Sequence, residues 1–337
     1  MNHLTRKGIQ YSLTVNLFLL FFSSFLTAAP TPEEILRRAY QTSSDIQFVG
    51  TLETTDFISS SSAKVKIFQK GNRLRMEYQL QGGGYFVILD DGKMVYRLDA
   101  VKKTVYESSV ENPPKRLDLL LENYQLKLLS SEKLLSRPTA LISIEPKHPG
   151  NPKKKIWVDR QTAVILRSEQ YRSDGKLSAL SFYTQVDFET DVKDNLFKLP
   201  SGWRVIKTPK KTEARMNRGE INQAVGFEII EPRSLPEGYL LEGYYLSYCP
   251  MGGPIVHLRY FDGLNSISLF EHPVHCMGMG GGMMGRMMRG MHGGKKGCRM
   301  PQNSIQIKKS LVKNGLMFIF VGDISEGQLQ KLISSLE

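Results

Sequence analysis

Tyr85-Phe86-Val87-Ile88-Leu89-Asp90-Asp91-Gly92-Lys93-Met94-Val95-Tyr96-Arg97-Leu98 is the stretch that decides the fold. Two runs of β-branched, aromatic and aliphatic residues flank an Asp-Asp-Gly turn signal, which reads as a β-hairpin. The same rhythm extends upstream through Phe48-Val49-Gly50-Thr51-Leu52, Val65-Lys66-Ile67-Phe68 and Leu74-Arg75-Met76-Glu77-Tyr78, punctuated by Gly71-Asn72 and Gly82-Gly83-Gly84. Thr104-Val105-Tyr106 continues the meander, and strands return over 140–144, 155–159, 163–166 and 180–183, with Asp174-Gly175 as the last turn. Two helical segments interrupt them. Thr31-Pro32-Glu33-Glu34 opens the first with a capping box, and Ile35, Leu36, Ala39 and Tyr40 follow on one face. Pro113-Pro114 opens the second, with Leu117, Leu120, Leu121 and Tyr124 at core spacing. About ten strands and two helices predict a large antiparallel sheet that curls over the helices to hide its apolar face. A sheet closed imperfectly in this way encloses either core alone or a greasy cavity suited to an acyl chain.

The whole chain has 337 residues, 45 Lys+Arg against 33 Asp+Glu, and 41% hydrophobic residues. These fractions exclude wholesale disorder and a polytopic membrane protein, and the length predicts two domains. Arg6 and Lys7 precede an apolar run, Leu17 to Phe22, that ends in Ala28-Ala29. This is the pattern of a cleavable signal peptide over residues 1–29, with cleavage after Ala28 or Ala29, and it predicts a periplasmic protein. Its apolar core is too short for a bilayer anchor. Without Arg6 and Lys7 the chain keeps 43 basic and 33 acidic residues, a formal +10. The bases are scattered as Lys153-Lys154-Lys155, Lys210-Lys211, Lys295-Lys296 and Lys308-Lys309. Export and scatter together argue against nucleic acid. Such runs read as solvated faces or as a peripheral attraction to anionic membrane.

Residues 207–219 are basic, contain Pro209 and lack apolar rhythm, so they read as a linker. Beyond them, strands around the Asp262-Gly263 turn, the run Phe318-Ile319-Phe320-Val321 and an amphipathic segment from Gln328 to Ile333 predict a small α+β domain.

Lys155-Ile156-Trp157-Val158-Asp159, Ala163-Val164-Ile165-Leu166-Arg167 and Tyr171-Arg172-Ser173-Asp174-Gly175-Lys176 resemble the lipoprotein-carrier (LolA-like) superfamily. Asn195-Leu196-Phe197-Lys198-Leu199-Pro200-Ser201-Gly202-Trp203 resembles its domain ending. That resemblance implies a half-open antiparallel β-barrel wrapped around helices, with a pocket for acyl chains. Plug helices should line such a pocket, which makes Ile35, Leu36, Tyr40, Leu117, Leu120 and Leu121 its candidate lining. In the second domain, Leu235-Pro236-Glu237-Gly238-Tyr239, Tyr260-Phe261-Asp262-Gly263-Leu264 and Val321-Gly322-Asp323 resemble the carboxy-terminal domain of the RseB/MucB family. The implied protein is a negative regulator of an envelope-stress sigma factor. It would bind the periplasmic segment of a single-pass anti-sigma factor, sense mislocalised lipoproteins or other acylated ligands, and self-associate. A periplasmic lipid or lipoprotein carrier is the alternative. The implied organisation is a half-barrel over 30–205, a linker over 206–220 and a partner-binding domain over 221–337.

One insertion, residues 272–303, departs from the family pattern. Eight of the 14 Met residues lie between 277 and 300, among many Gly. If the next strand starts from the end of the sheet where the previous one stops, all three Cys converge there. A Cys276–Cys298 disulfide would close a loop of about 22 residues and stabilise by about 3 kcal/mol in the chain-entropy model. Cys249 paired with either of the others is equally allowed, and one thiol is left over in every case. The sharper reading is a Cu(I)-responsive site of thioether, imidazole and thiolate ligands: Cys249, His272, His275, Cys276, Met277, Met279, His292 and Cys298. A contact of clustered Met with a partner or a membrane is the third. No other cofactor is expected. There is no H-E-x-x-H, G-x-S-x-G, phosphate loop or dinucleotide fingerprint, so no catalytic residue is assigned and no enzyme is expected.

Overall fold

The structure, a computed structural model, describes residues 29–41, 46–108, 116–207, 215–249, 253–274 and 307–336. The signal-peptide reading and most of the Met-rich insertion lie outside them.

Helix α1 (Pro32–Gln41) begins where the capping box predicts. The Thr31 amide donates to Glu34 Oε2 at 2.7 Å and the Glu34 amide to Thr31 Oγ1 at 3.2 Å. Six strands follow as a meander: β1 (Gln47–Asp56), β2 (Ser61–Lys70), β3 (Arg73–Leu80), β4 (Tyr85–Asp90), β5 (Val95–Asp99) and β6 (Thr104–Ser108). Helix α2 (Leu117–Asn123) precedes β7 (Tyr124–Leu134), β8 (Arg137–Pro146), β9 (Lys153–Asp159), β10 (Ile165–Tyr171) and β11 (Leu177–Asp187). A short 3-10 turn (Asp194–Phe197) leads to β12 (Arg204–Lys207). These strands form one sheet in the order β12-β6-β5-β4-β3-β2-β1-β11-β10-β9-β8-β7. It is antiparallel except where β12 runs parallel to β6, and it stays open, with β12 and β7 at its edges. Register shifts at Thr51/Leu52, Leu128/Ser130 and Gln170/Tyr171 interrupt the ladder, the kind of irregularity that bends a strand.

The sheet's two faces are covered by different means. Following the register, Phe48, Val65, Ile67, Ile156 and Val158 share one face, and both helices pack there. Val87, Leu89, Leu98 and Val105 share the other, closed by Val192 and Phe197 from the segment that returns after β11. Strand β7 escapes the sequence reading because it is an edge. Its side chains are mostly exposed, so its apolar content lacks a clear period. Tyr124, expected on the second helix, is the first residue of this strand. The lysine triplet is not a solvated run either: it lies in β9, half-buried, with Lys153 and Lys155 over the Tyr171 ring.

The second sheet contains β13 (Leu240–Tyr248), β14 (Pro254–Phe261), β15 (Ser266–Pro273), β16 (Ile307–Lys313) and β17 (Leu316–Gly322), in the order β13-β14-β15-β17-β16. Helix α3 (Arg218–Ala224), capped by Asn217 and Glu220, starts inside the stretch read as linker. Together with α4 (Glu326–Ser334) it packs on one face, where Ile221, Val225, Leu329 and Leu332 meet Val256, Leu258, Leu269, Phe318 and Phe320. The topology corrects the expected course of the insertion. β15 and β16 each run antiparallel to β17, which lies between them, so they are parallel to each other. Val274 stands beside Gly315, but Ile307 stands beside Val321, at the opposite end. β16 therefore starts at the end of the sheet opposite to the one where β15 stops, and the strand pairing gives no convergence of the three Cys at one end.

Leu36 and Leu120, both without exposed surface, join the helices to the sheet. Truncating either to Ala is expected to cost about 2–5 kcal/mol, measured by urea denaturation of the mature chain.

Candidate functional site

All six pocket candidates fall in one cluster. Leu36 and Leu120 are fully buried, and Ile35, Tyr40, Leu117 and Leu121 are partly buried against Tyr124, Ile142, Ile144, Ile156 and Val158. Leu264, from the hairpin between β14 and β15, packs into the same cluster.

The helices cover only part of their face of the sheet. Toward β1–β4 the register places Leu52, Met76, Tyr78, Phe86 and Tyr183 on the same face, all half-buried. Tyr78 and Phe86 stack at 4.6 Å between ring centroids, and the Arg97 guanidinium lies 4.9 Å from the Phe86 ring. Gly50 lets the Tyr183 ring lie flat against β1, since a Cβ there would stand 2.6 Å from the ring. This aromatic and thioether strip is the apolar surface that the sequence reading missed. Alternation alone marks two faces of a strand but not which face the helices choose.

The two sheets meet at a buried polar junction centred on Asp262, which has no exposed surface. Its Oδ1 accepts from the amides of Leu264 and Asn265 at 2.9 and 2.6 Å, which sets the hairpin turn. Its Oδ2 accepts from the Tyr124 hydroxyl at 2.6 Å and from Asn151 Nδ2 at 3.2 Å, both in the first sheet's half of the chain. Asn123 Nδ2 donates to the carbonyls of Gly238 and Asp262 at 2.9 and 3.0 Å. Gln328 Nε2 donates to Asn151 Oδ1 at 2.7 Å, which brings α4 into the same network. Gly263 has φ +98°, and a Cβ on it would lie 2.4 Å from the Leu120 amide nitrogen, so the turn presses directly on the α2 backbone. Burial pushes the Asp262 carboxyl above its ordinary pKa, although the hydrogen bonds oppose the shift. Leu-Pro-Glu-Gly-Tyr, Tyr-Phe-Asp-Gly-Leu and Val-Gly-Asp, the runs that carry the second-domain resemblance, converge here. The signature is therefore the chemistry of docking one sheet on the other.

Of the metal candidates, only Cys249 and His272 are described. Cys249 is a buried free thiol whose sulfur accepts from the Gly253 amide at 3.2 Å. His272 is buried, with Nδ1 3.1 Å from the Pro273 carbonyl. His275, Cys276, Met277, Met279, His292 and Cys298 lie outside the described residues, as does the Cys276–Cys298 pairing. Among the described residues no three His, Cys, Asp or Glu side chains converge as a metal site.

Among the described residues, clefts lie beside the second sheet. A cavity of about 420 Å³ lies beside edge strand β13, lined by Arg215, Asn217, Arg218, Glu220, Glu242 and Tyr244 among others. Another, about 500 Å³, is lined by Arg218, Glu228, Ile230, Glu231, Arg233 and Asn314 among others. Glu271 reaches the backbone of the second cleft, accepting from the Ile230 amide at 3.0 Å. Burial pushes its carboxyl up to about 8, and its other oxygen has no hydrogen-bond partner among the described residues.

Two outcomes are expected here. Tyr124→Phe should cost about 1–3 kcal/mol by removing one donor from a buried carboxyl, and Gly263→Ala should cost more, because its Cβ meets backbone; both are read by thermal unfolding. Glu271 is raised from its ordinary 4.5, so its contribution is complete below pH 4.5 and is lost as pH rises toward 8. Stability should fall over that window by up to about 1.4 kcal/mol per pH unit. Glu271→Gln should flatten this slope in denaturation curves taken from pH 4 to 9.

Known proteins share this architecture. The family model described as the MucB/RseB N-terminal domain matches residues 31–200. The sigma factor AlgU regulatory protein MucB of Pseudomonas aeruginosa is 23% identical over 155 residues, which is 45% of this chain and 45% of that relative's length. The crystal structure of MucB in complex with MucA(peri) superposes with a TM-score of 0.61 at 17% identity, covering 90% of this chain and 98% of that one. The Pseudomonas aeruginosa MucA/MucB complex gives 0.60 at 16% identity, covering 89% and 96%. At these identities the structures establish a shared fold, and the coverage extends it over both sheets. By the family match over half of its length, the chain belongs to the MucB/RseB family.

Proposed function

We propose that this protein is a non-enzymatic periplasmic regulator of an envelope-stress sigma factor that binds the periplasmic segment of a single-pass anti-sigma factor. The observation that carries this reading is the match of the fold to nearly the whole of a MucB chain solved with MucA(peri). The sequence pattern of residues 1–29 supports export. Among the described residues no helix is long and apolar enough to cross a membrane. In this reading the sheet of β13–β17 is the partner-binding body, and the cleft beside β13 offers charged groups of both signs next to an edge strand.

The larger sheet is the sensing body. Leu52, Met76, Tyr78, Phe86 and Tyr183 form the seat for an acyl chain, since they are apolar, half-buried and clear of the helix cluster. The same strip supports a second reading, a carrier that hands lipid to an acceptor. A third component, Cu(I) sensing by the Met-rich segment, rests on its ligand types alone.

Mild crosslinking of tagged mature protein in its native envelope, followed by native mass spectrometry, separates these. The regulator reading expects a complex with a single-pass anti-sigma factor and an acylated adduct that is depleted several-fold by Tyr78→Asp or Phe86→Asp. Recovery of a lipoprotein acceptor without an anti-sigma factor would replace it with the carrier. A complex free of acyl adducts and insensitive to added lipid would remove the sensing half, and one that never gains mass in Cu(I) would remove the third component.

A further inference from the structure

The second sheet has two faces, and described elements account for one. Helices α3 and α4 fill the face of Val256, Leu258, Leu269, Phe318 and Phe320. The other face presents Phe270, Ile319 and Val321, and the apolar residues packed against them, Ile255 and Met317, belong to the same sheet. His257 continues this surface, stacked on Phe270 at 4.4 Å between ring centroids.

Residues 275–306 must travel from one end of this sheet to the other. Val274 donates its amide to Gly315, whereas Ile307 stands opposite Val321. Six residues of β17 separate these levels, roughly 20 Å at the rise of an antiparallel strand. The 32 intervening residues are more than enough for that distance. The face under α3 and α4 is already occupied.

Chirality selects the same route. Val274 donates across to β17, and Asp262 donates to Asn265 across the β14–β15 hairpin. Alternation along β15 therefore turns the amide and carbonyl of Phe270 toward β17. With β15 running upward and the Phe270 side chain toward the viewer, an L-residue directs those groups to the right. β17 and then β16 accordingly lie to the right. A connection between parallel strands of one sheet is right-handed in about 98% of cases. Moving rightward, a right-handed connection passes in front of the sheet, over the Phe270 side.

We infer that residues 275–306 cross over the Phe270, Ile319 and Val321 face and are its cover. The composition suits the seat. Eight Met supply adaptable thioethers that pack well against aromatic rings, and nine Gly permit close approach of the backbone. The insertion is then the second layer of the small domain, the counterpart of the helices on the opposite face.

Hydroxyl-radical footprinting of the reduced mature chain tests this against a variant whose residues 276–303 are replaced by a Gly-Ser linker of equal length. The expected result is a several-fold rise in oxidation of Met317 and Phe270 in the variant, while Phe318 and Leu332 on the helix-covered face stay protected. Equal oxidation of Met317 and Phe270 in both proteins would overturn the inference. So would protection in the native chain that disappears on dilution, which would assign the seat to a second copy. Should the linker variant fail to fold, p-benzoylphenylalanine in place of Ser310, exposed and opposite Ile319, gives an independent reading in the otherwise native chain. Photocrosslinks to peptides within 277–300 of the same molecule are expected. Crosslinks only to another copy or another protein would overturn it.

Discussion

An open β-sheet has two faces and two edges, and every apolar part of them must be kept from water by some other part of the chain. That constraint organises this protein. Twelve strands that never close give the larger sheet a face too wide for helices of ten and seven residues. The remainder is left to aromatic side chains that lie along the strands. The opposite face is closed by the return segment carrying Val192 and Phe197.

The same need joins the sheets. Leu264, at the tip of a hairpin in the second sheet, finishes the helix cluster of the first. A leucine placed there has to be held there. The Asp262 carboxyl does this by accepting from its own turn and from Tyr124 and Asn151 across the junction. Buried polar networks of this kind hold a geometry only when nearly every member is satisfied. Asn123 in α2, Asn151 in the β8–β9 connection and Gln328 in α4 supply the donors. Residues Thr31–Glu337 accordingly form one compact unit, with the two sheets joined as a single connected body.

Much of this was legible in the residues themselves. The meander was visible because β1–β6 are short runs separated by Gly and Asp turns, and turn chemistry is local. The α1 capping box was visible for the same reason: Thr31 and Glu34 satisfy one another within a single turn. The edge strand β7 was not, because most of its side chains are exposed, so its residues lack the apolar alternation that marks a half-buried strand. Helix α3 was hidden in a basic stretch whose only helical signal is the Asn217–Glu220 cap. The pocket candidates gathered in one cluster, but Leu52, Met76, Tyr78, Phe86 and Tyr183 were invisible as a group, since they come from four strands related only by register.

By itself the sequence determined the element types, the open antiparallel character of the large sheet, and the family signature in the second domain. These depend on spacing within a few residues. Only the tertiary structure decided what that signature is for, which half of the helix face stays uncovered, and that β16 starts at the opposite end of its sheet from where β15 stops. Each of those depends on strand order and pairing, which bring together residues more than a hundred positions apart, such as Tyr124 and Asp262. The two strands that flank the insertion are the clearest case. Its residues suggested a loop at one end of a sheet, but β17 lies antiparallel between β15 and β16, so β16 begins at the opposite end.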